Sequence, residues 1–457
     1  MNTSPKLLIL FSLFFMLCTA SARTYYIDYT NGSDRNGGIA KTAAWKHCPG
    51  MSKFSGIYWH QAGDRFVFKG GVIWPALTLP LVIKNSGIPG SPDIFTSDST
   101  WFSGKTWKQP VLSAQHARKQ LLDANGRSFF VIDNLAFIDY GRAGIENGGK
   151  PIDINGCSDY SIRNCTIAPQ SWIGLYLHSY SGLTEENIII DRNDISAAGQ
   201  AIVVAVEAPR TRIKQVLISN NAIHDLSTQI VGETHGDGIH TWNSDSKDHS
   251  QYIIDLVIRD NKFYGNFSCG DSSAKRAGNP PVLASMTSLI YLTDPGKRAL
   301  ISGNTLTYSA ATHFSSLIWI RNFDSVAIVN NTLVMDTAQG GIGIIVGQGD
   351  AGRKVLIQNN IITNAKYCYY VYEDAILTTH INTNVCMTTG PTVAYWNLVG
   401  KTWPQWQQLG NDTKGFLGDP LFKSATDFEL QQTSPGIGRA DTDHAVCQNQ
   451  TTIADTA

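Results

Sequence analysis

From Phe129 onward the chain repeats one alternation of apolar and polar positions: an apolar run, a break, then a segment of the form Val/Ile-x-Ile-x-x-Asn-x-Ile. The segments run from Val131 to Phe137, Ser161 to Ile167, Ile188 to Ile195, Val216 to Ile223, Leu256 to Phe263, Ala299 to Leu306, Val326 to Leu333, Val355 to Ile362 and His380 to Cys386. Alternation with period two marks a half-buried strand, so the pattern predicts many short strands joined by turns. Aligned two residues before the last apolar position, the segments give Leu135, Cys165, Asn193, Asn221, Asn261, Asn304, Asn331, Asn360 and Asn384. The intervals are 30, 28, 28, 40, 43, 27, 29 and 24 residues, as expected of a solenoid.

Seven of the nine aligned residues are asparagine, which needs a cause. Asn tolerates the left-handed backbone of a tight corner, and its amide bonds to neighbouring backbone. In successive coils such amides can also bond to each other along the axis. Cys165 then fills the same slot as a small buried group.

On this repeat the sequence resembles the right-handed parallel β-helix proteins of the pectate-lyase-like superfamily. Two flanking pieces carry the same resemblance. Tyr25-Tyr26-Ile27-Asp28 through Gly32-Ser33-Asp34-Arg35-Asn36-Gly37 and Trp45-Lys46-His47 looks like the opening segment of such exported proteins, and Gly418-Asp419-Pro420-Leu421-Phe422 with Ser434-Pro435-Gly436-Ile437 looks like the closing one. The resemblance implies an all-β, single-domain right-handed parallel β-helix, a solenoid over about 23–439 with its repeat core at about 129–386 and loop insertions forming a cleft. The fold is shared by enzymes of several activities and by non-enzymes, so it names no reaction.

Composition narrows the partners. Lys plus Arg (36) nearly balances Asp plus Glu (37), so no overall field draws the chain to nucleic acid or an anionic membrane. Lys6, the apolar run Leu7 to Leu17 and Ala20-Ser21-Ala22 read as a signal peptide over 1–22, which predicts a secreted or periplasmic protein. No later stretch reaches the roughly 18 apolar residues of a membrane span. Removing it leaves seven cysteines without a CxxC pair; one thiol at least stays unpaired, and a zinc site is not expected. The tail, 440–457, is polar. The protein is expected to be a monomer.

The two long intervals place excess chain at about 224–250 and 265–281, and long loops on a rigid solenoid are where sites sit. The first surrounds Gly232-Glu233-Thr234-His235-Gly236-Asp237-Gly238-Ile239-His240-Thr241-Trp242. If Leu175 and Leu177 face the core, then Tyr176 and His178 face out. The same parity turns out Glu207, His240, Trp242, Tyr291, Trp319 and Arg321 on successive coils. An outer stripe of aromatic and ionisable residues follows, suited to a linear polysaccharide, with Tyr176, His178, Trp242, Tyr291 and Trp319 as the binding set.

For chemistry, His235, Asp237 and His240 offer imidazoles beside a carboxylate, the arrangement of proton transfer, with Glu207 and Arg321 from neighbouring coils. His235 and His240 are not at helical zinc spacing. Calcium is a candidate cation through Glu233, Asp237, Asp245 and Asp248. Asp237-Gly238-Ile239 is similar to part of the Asn-Thr-Asp-Gly segment of polygalacturonases, although the Asp-Asp pair and Gly-His-Gly of that family are missing, as is the Asp-Pro-His of mannuronan epimerases. The expected function is cleavage of a polysaccharide. β-Elimination, with Arg321 or a cation offsetting the developing charge, stands ahead of inverting hydrolysis by two carboxylates about 6.5–9.5 Å apart. The reading from another class is a non-catalytic glycan-binding or adhesion protein.

Overall fold

A computed structural model describes residues 21–141, 149–226, 236–245, 250, 252–267, 286–307, 316–335, 341–349 and 353–440. Each coil lays one strand in each of three sheets. Ser171–Ser179 belongs to the third sheet, Thr184–Asp191 to the first and Asp194–Ile195 to the second, before Ala198–Val206 returns to the third. Every sheet has twelve strands, and apart from the closing pair Thr392–Trp396 and Val399–Thr402 the neighbours named here run parallel. The molecule is a right-handed parallel β-helix. Alternate residues fill its bore: Ile188 and Ile190 stack on Val216 and Ile218, which stack on Leu256 and Ile258.

The corner between first and second sheets carries the asparagine ladder. Asn193, Asn221, Asn261, Asn304, Asn331 and Asn360 each donate the backbone N–H and the side-chain Nδ2 to Oδ1 of the next asparagine, at 2.8–3.0 Å. Cys165 starts the row by donating its N–H to Asn193. The structure corrects the reason for asparagine: the left-handed residue is the one before it. Asn134, Asn164, Arg192, Asn220, Asp260, Gly303, Asn330, Asn359 and Thr383 all have φ between 53° and 65°. The ladder residues are selected for buried amide bonding rather than for the turn.

At the C-terminal end Asp412 takes the place of the next asparagine. Its Oδ1 accepts from Asn384 N at 3.1 Å and Nδ2 at 2.9 Å, and its Oδ2 accepts from Trp406 Nε1 at 3.1 Å. Trp406 lies on the helix Trp403–Gln408, which a Thr402/Gln405 capping box starts.

The corner between second and third sheets is where chain length varies. The long excursion expected at 265–281 leaves from here, and apart from 265–267 it lies outside the described residues, as do 1–20, the tail from 441, Glu233, His235 and Asp248. The Gly-Asp-Gly stretch is not a loop. Gly236–Asn243 is a third-sheet strand, and a Cβ on Gly238 would stand 2.3 Å from the Leu289 carbonyl oxygen, so only glycine allows that approach.

Candidate functional site

The outer face of the third sheet gathers the candidate residues. In register across the coils stand Asp123, Asp153, Tyr176, Val203, His240, Tyr291, Trp319, Ile345, Tyr370 and Tyr395. A parallel row runs Asn125, Asn155, His178, Ala205 and Trp242. The outward parity read from the sequence is thus the arrangement of the fold. Its openness is not: Tyr176, His178, Asp237, His240 and Tyr291 are all buried, and among the binding set only Trp242, at 38%, is exposed. The cause at Tyr176 is a second apolar layer, in which Ile173, Tyr176, Val203 and Ala205 pack together under Trp172.

Two polar centres form on this face. In the upstream one His178 stands between two carboxylates, with Nδ1 2.5 Å from Glu207 Oε2 and Nε2 2.5 Å from Asp153 Oδ1. Carboxylates accept only, so both ring nitrogens carry protons. Burial pulls the imidazole pKa down, but the bonds and charges of Asp153 and Glu207 outweigh it and hold it above the ordinary value. Burial pushes Glu207 up, yet hydrogen bonds from His178, Tyr176 and Tyr180 bring it below the usual range. Lys150 completes the centre, its ammonium 3.6 Å from the Tyr176 ring centroid. Burial lowers the Lys150 pKa against the charges of Glu207 and Asp153.

The downstream centre is built on Gly236–Asn243. The Gln200 amide donates to Asp237 Oδ2 at 3.1 Å and lies 3.2 Å from His240 Nδ1. His240 Nδ1 also stands 3.5 Å from Asp237 Oδ2, and Nε2 faces Thr293 Oγ1 at 3.4 Å. Thr293 Oγ1 lies 3.0 Å from Asp294 Oδ2, and burial raises the Asp294 pKa. His240 stacks on Tyr291 at 5.3 Å, and Tyr291 on Trp319 at 5.0 Å. Arg321 is exposed, bonding Gln348 O at 2.8 Å and the Tyr291 hydroxyl. Asp237 is fully buried, so in this structure it holds its neighbours and presents no oxygen to solvent.

The open part of the face is a pocket of about 370 Å3 beside the upstream centre, lined by Arg118, Gln120, Tyr140, Gly149, Lys150, Asp153 and Trp172. The sequence reading missed it. A signal was present: Leu122-Asp123-Ala124-Asn125 and Ile152-Asp153-Ile154-Asn155 are one pattern, 30 residues apart, which stacks two carboxylates on adjacent coils. Burial, then the charge of Asp153, raises the Asp123 pKa.

Of the oxygen donors considered for calcium, Glu233 and Asp248 lie outside the described residues, and Asp237 Oδ1 faces Ser288 N at 3.3 Å. Among the described residues no group of three or more His, Cys, Asp or Glu side chains is arranged to hold a metal ion. No described helix is long and apolar enough to cross a membrane.

No family model and no curated protein matches the chain. Solved structures do match. A lacto-N-biosidase from Eubacterium ramulus aligns at 11% identity over 87% of this chain and 68% of its own, with a TM-score of 0.49. A rhamnogalacturonan lyase aligns at 11% over 92% and 97%, with a TM-score of 0.41. A pectate lyase aligns at 15% over 91% and 92%, with a TM-score of 0.40. Likeness at this level is a likeness of fold, and the reaction has to be argued from the site.

Proposed function

We propose that the protein is a secreted polysaccharide-degrading enzyme that opens glycosidic bonds by acid/base chemistry on the outer face of the third sheet, β-elimination standing first. The observation that carries this is the open pocket, whose lining brings together the Asp153 carboxylate, the cations Arg118 and Lys150, and the aromatic side chains of Tyr140 and Trp172. Trp172 and Tyr140 offer faces for sugar rings. Asp153, held by doubly protonated His178, takes the proton beside a uronic-acid carboxylate. The electron pair left behind forms the double bond and expels the glycosidic oxygen. Lys150, whose hold on its proton burial weakens, donates to that oxygen, and Arg118 offsets the charge that builds on the sugar carboxylate. Glu207 keeps His178 charged and in place. Asp237 and His240, sealed under the same face, act as positioning residues for the floor, and Arg321 is the cation further along the stripe.

Hydrolysis is the second reading, and Asp123 favours it. Asp123 stands in register with Asp153 on the adjacent strand, and burial followed by the charge of Asp153 raises its pKa, so it would be the acid while Asp153 activates water. Incubation with polygalacturonate, alginate and neutral glucans separates the readings. Elimination leaves an ultraviolet-absorbing unsaturated sugar and hydrolysis only new reducing ends. Asp153→Asn should lower turnover by about 10²-fold or more with an unchanged circular dichroism spectrum. Asp123→Asn should do so only if the reaction is hydrolysis. Full activity of Asp153→Asn would remove this assignment. Absence of cleavage across the panel, with binding retained, would leave the non-catalytic glycan binder.

A further inference from the structure

Beyond the pocket, the same outer row comes back to the surface at the far end of the sheet. After Trp319 it passes buried Ile345 and reaches Tyr370 and Tyr395, which stack at 5.2 Å with 8° between their planes. Tyr372 leans on Tyr370 at 4.7 Å, and Tyr367 meets Tyr395 edge-on at 4.7 Å. All four are partly exposed, in contrast to buried His240 and Tyr291 on the same row. Lys366 places its ammonium 5.4 Å from the Tyr367 ring centroid.

Stacked tyrosines on a sheet are often only cross-strand packing. Here the last ring is left uncovered. Tyr370 occupies one face of Tyr395, and the residue paired with Tyr395 on the other side is Gly400, which has no side chain to lay over it. A Cβ at Gly400 would stand 3.7 Å from the Tyr395 ring and 3.2 Å from the Thr392 methyl group, which would have to give by a few tenths of an ångström. An uncovered aromatic face bordered by hydroxyls and an ammonium fits a sugar ring, which has an apolar face and a polar rim. Tyr395 lies five strands beyond His240 and eight beyond Asp153, about 24 Å and 38 Å along the axis.

We propose that Tyr367, Tyr370, Tyr372 and Tyr395 form a distal glycan-stacking platform that holds a remote stretch of the polysaccharide lying along the third sheet. The occupant follows from continuity, because the platform is in register with the face that carries the proposed cleavage site. This rests on the proposed function for its meaning in catalysis, but binding alone tests it. A chain bound at both places keeps its position between encounters, so polymer is favoured over short oligosaccharides.

Native electrophoresis through gels cast with polygalacturonate, alginate or hydroxyethyl cellulose provides the test. The wild-type protein should be retarded by at least one of them. Tyr395→Ala, and Gly400→Leu as a variant that covers the ring without removing it, should bind that polymer about three- to tenfold more weakly, while Tyr395→Trp retains binding. If the enzyme reading holds, KM should rise by the same factor for polymer and stay unchanged for short oligosaccharides, with kcat unaffected. No retardation of the wild type, or folded Tyr395→Ala and Gly400→Leu variants that bind like it, would overturn the platform. Retardation lost in the variants without cleavage of any polymer would uphold the platform and remove the enzyme reading instead.

Discussion

Asn261→Ala tests how much the ladder contributes. Asn261 is fully buried, and its Oδ1 accepts from Asn221 N at 3.0 Å and Nδ2 at 2.9 Å. Its Nδ2 donates to Ile218 O at 2.9 Å and to Asn304 Oδ1 at 3.0 Å. Alanine removes all four bonds. Some groups keep a partner: Asn221 Nδ2 still reaches Ile190 O at 2.9 Å, and Asn304 Oδ1 still accepts from the residue 261 N–H, at 3.0 Å in the wild type. The Asn221 N–H loses its ladder acceptor. With about 1 kcal/mol net for each of the four bonds and about 1–3 kcal/mol for the buried orphan, the loss should be roughly 5–7 kcal/mol. Guanidinium unfolding would read the total, and amide hydrogen exchange would read its location. Exchange at Asn221 should accelerate steeply, while the residue 261 amide, which keeps its acceptor, should accelerate no more than its neighbours do. A loss below about 1 kcal/mol, or unchanged exchange at Asn221, would refute the view that the amides hold the corner.

Other consequences can be measured in the same way. Asp412→Asn can still satisfy Asn384 but turns an N–H toward the Trp406 N–H, so it should cost about 1–3 kcal/mol, read as an earlier thermal midpoint with altered Trp fluorescence. The upstream centre sets a pH window. His178, with its pKa raised, contributes stability that is complete below about 6.5 and lost as pH rises through its folded value; Glu207, with its pKa lowered, contributes above about 4.5 and loses it as pH falls through its own. Relative to wild type, His178→Gln should therefore lose most stability between those values, in thermal melts taken across pH, and a difference independent of pH would count against the clamp.

The sequence made the scaffold readable because a solenoid writes its geometry as repetition. Period-two alternation located the strands and their outward positions, and asparagines at a fixed offset located one corner. What alternation does not encode is what lies on the outside of a coil. The layer of Trp172, Ile173, Tyr176 and Val203 buries residues that parity alone leaves facing out. Gly174, whose Cβ would stand 2.7 Å from Ala201 O, marks a close backbone approach just before Leu175, and Ile173, which alternation from Leu175 turns inward, packs in the outer layer instead. Arg118 and Lys150 escaped because they lie off the recognised segments; winding brings Arg118 to the pocket from the preceding coil, while Lys150 stands three residues before Asp153. Asp412 stands at the repeat spacing, 28 residues after Asn384, but escaped because it is not asparagine and Lys414 replaces the apolar residue that ends the pattern.

Because every rung of the amide row hands its donors forward and its acceptor backward, the two ends of the solenoid are chemically unequal while all interior seams are alike. A coil such as that between Asn193 and Asn221 could be excised and the chain rejoined with the row intact, since each seam presents the same partners. Truncation after Asn384 has no such remedy, for it strands the buried Asn384 N–H, whose acceptor is Asp412 Oδ1. Length is thus an adjustable quantity in this architecture, and its C-terminal plug is not.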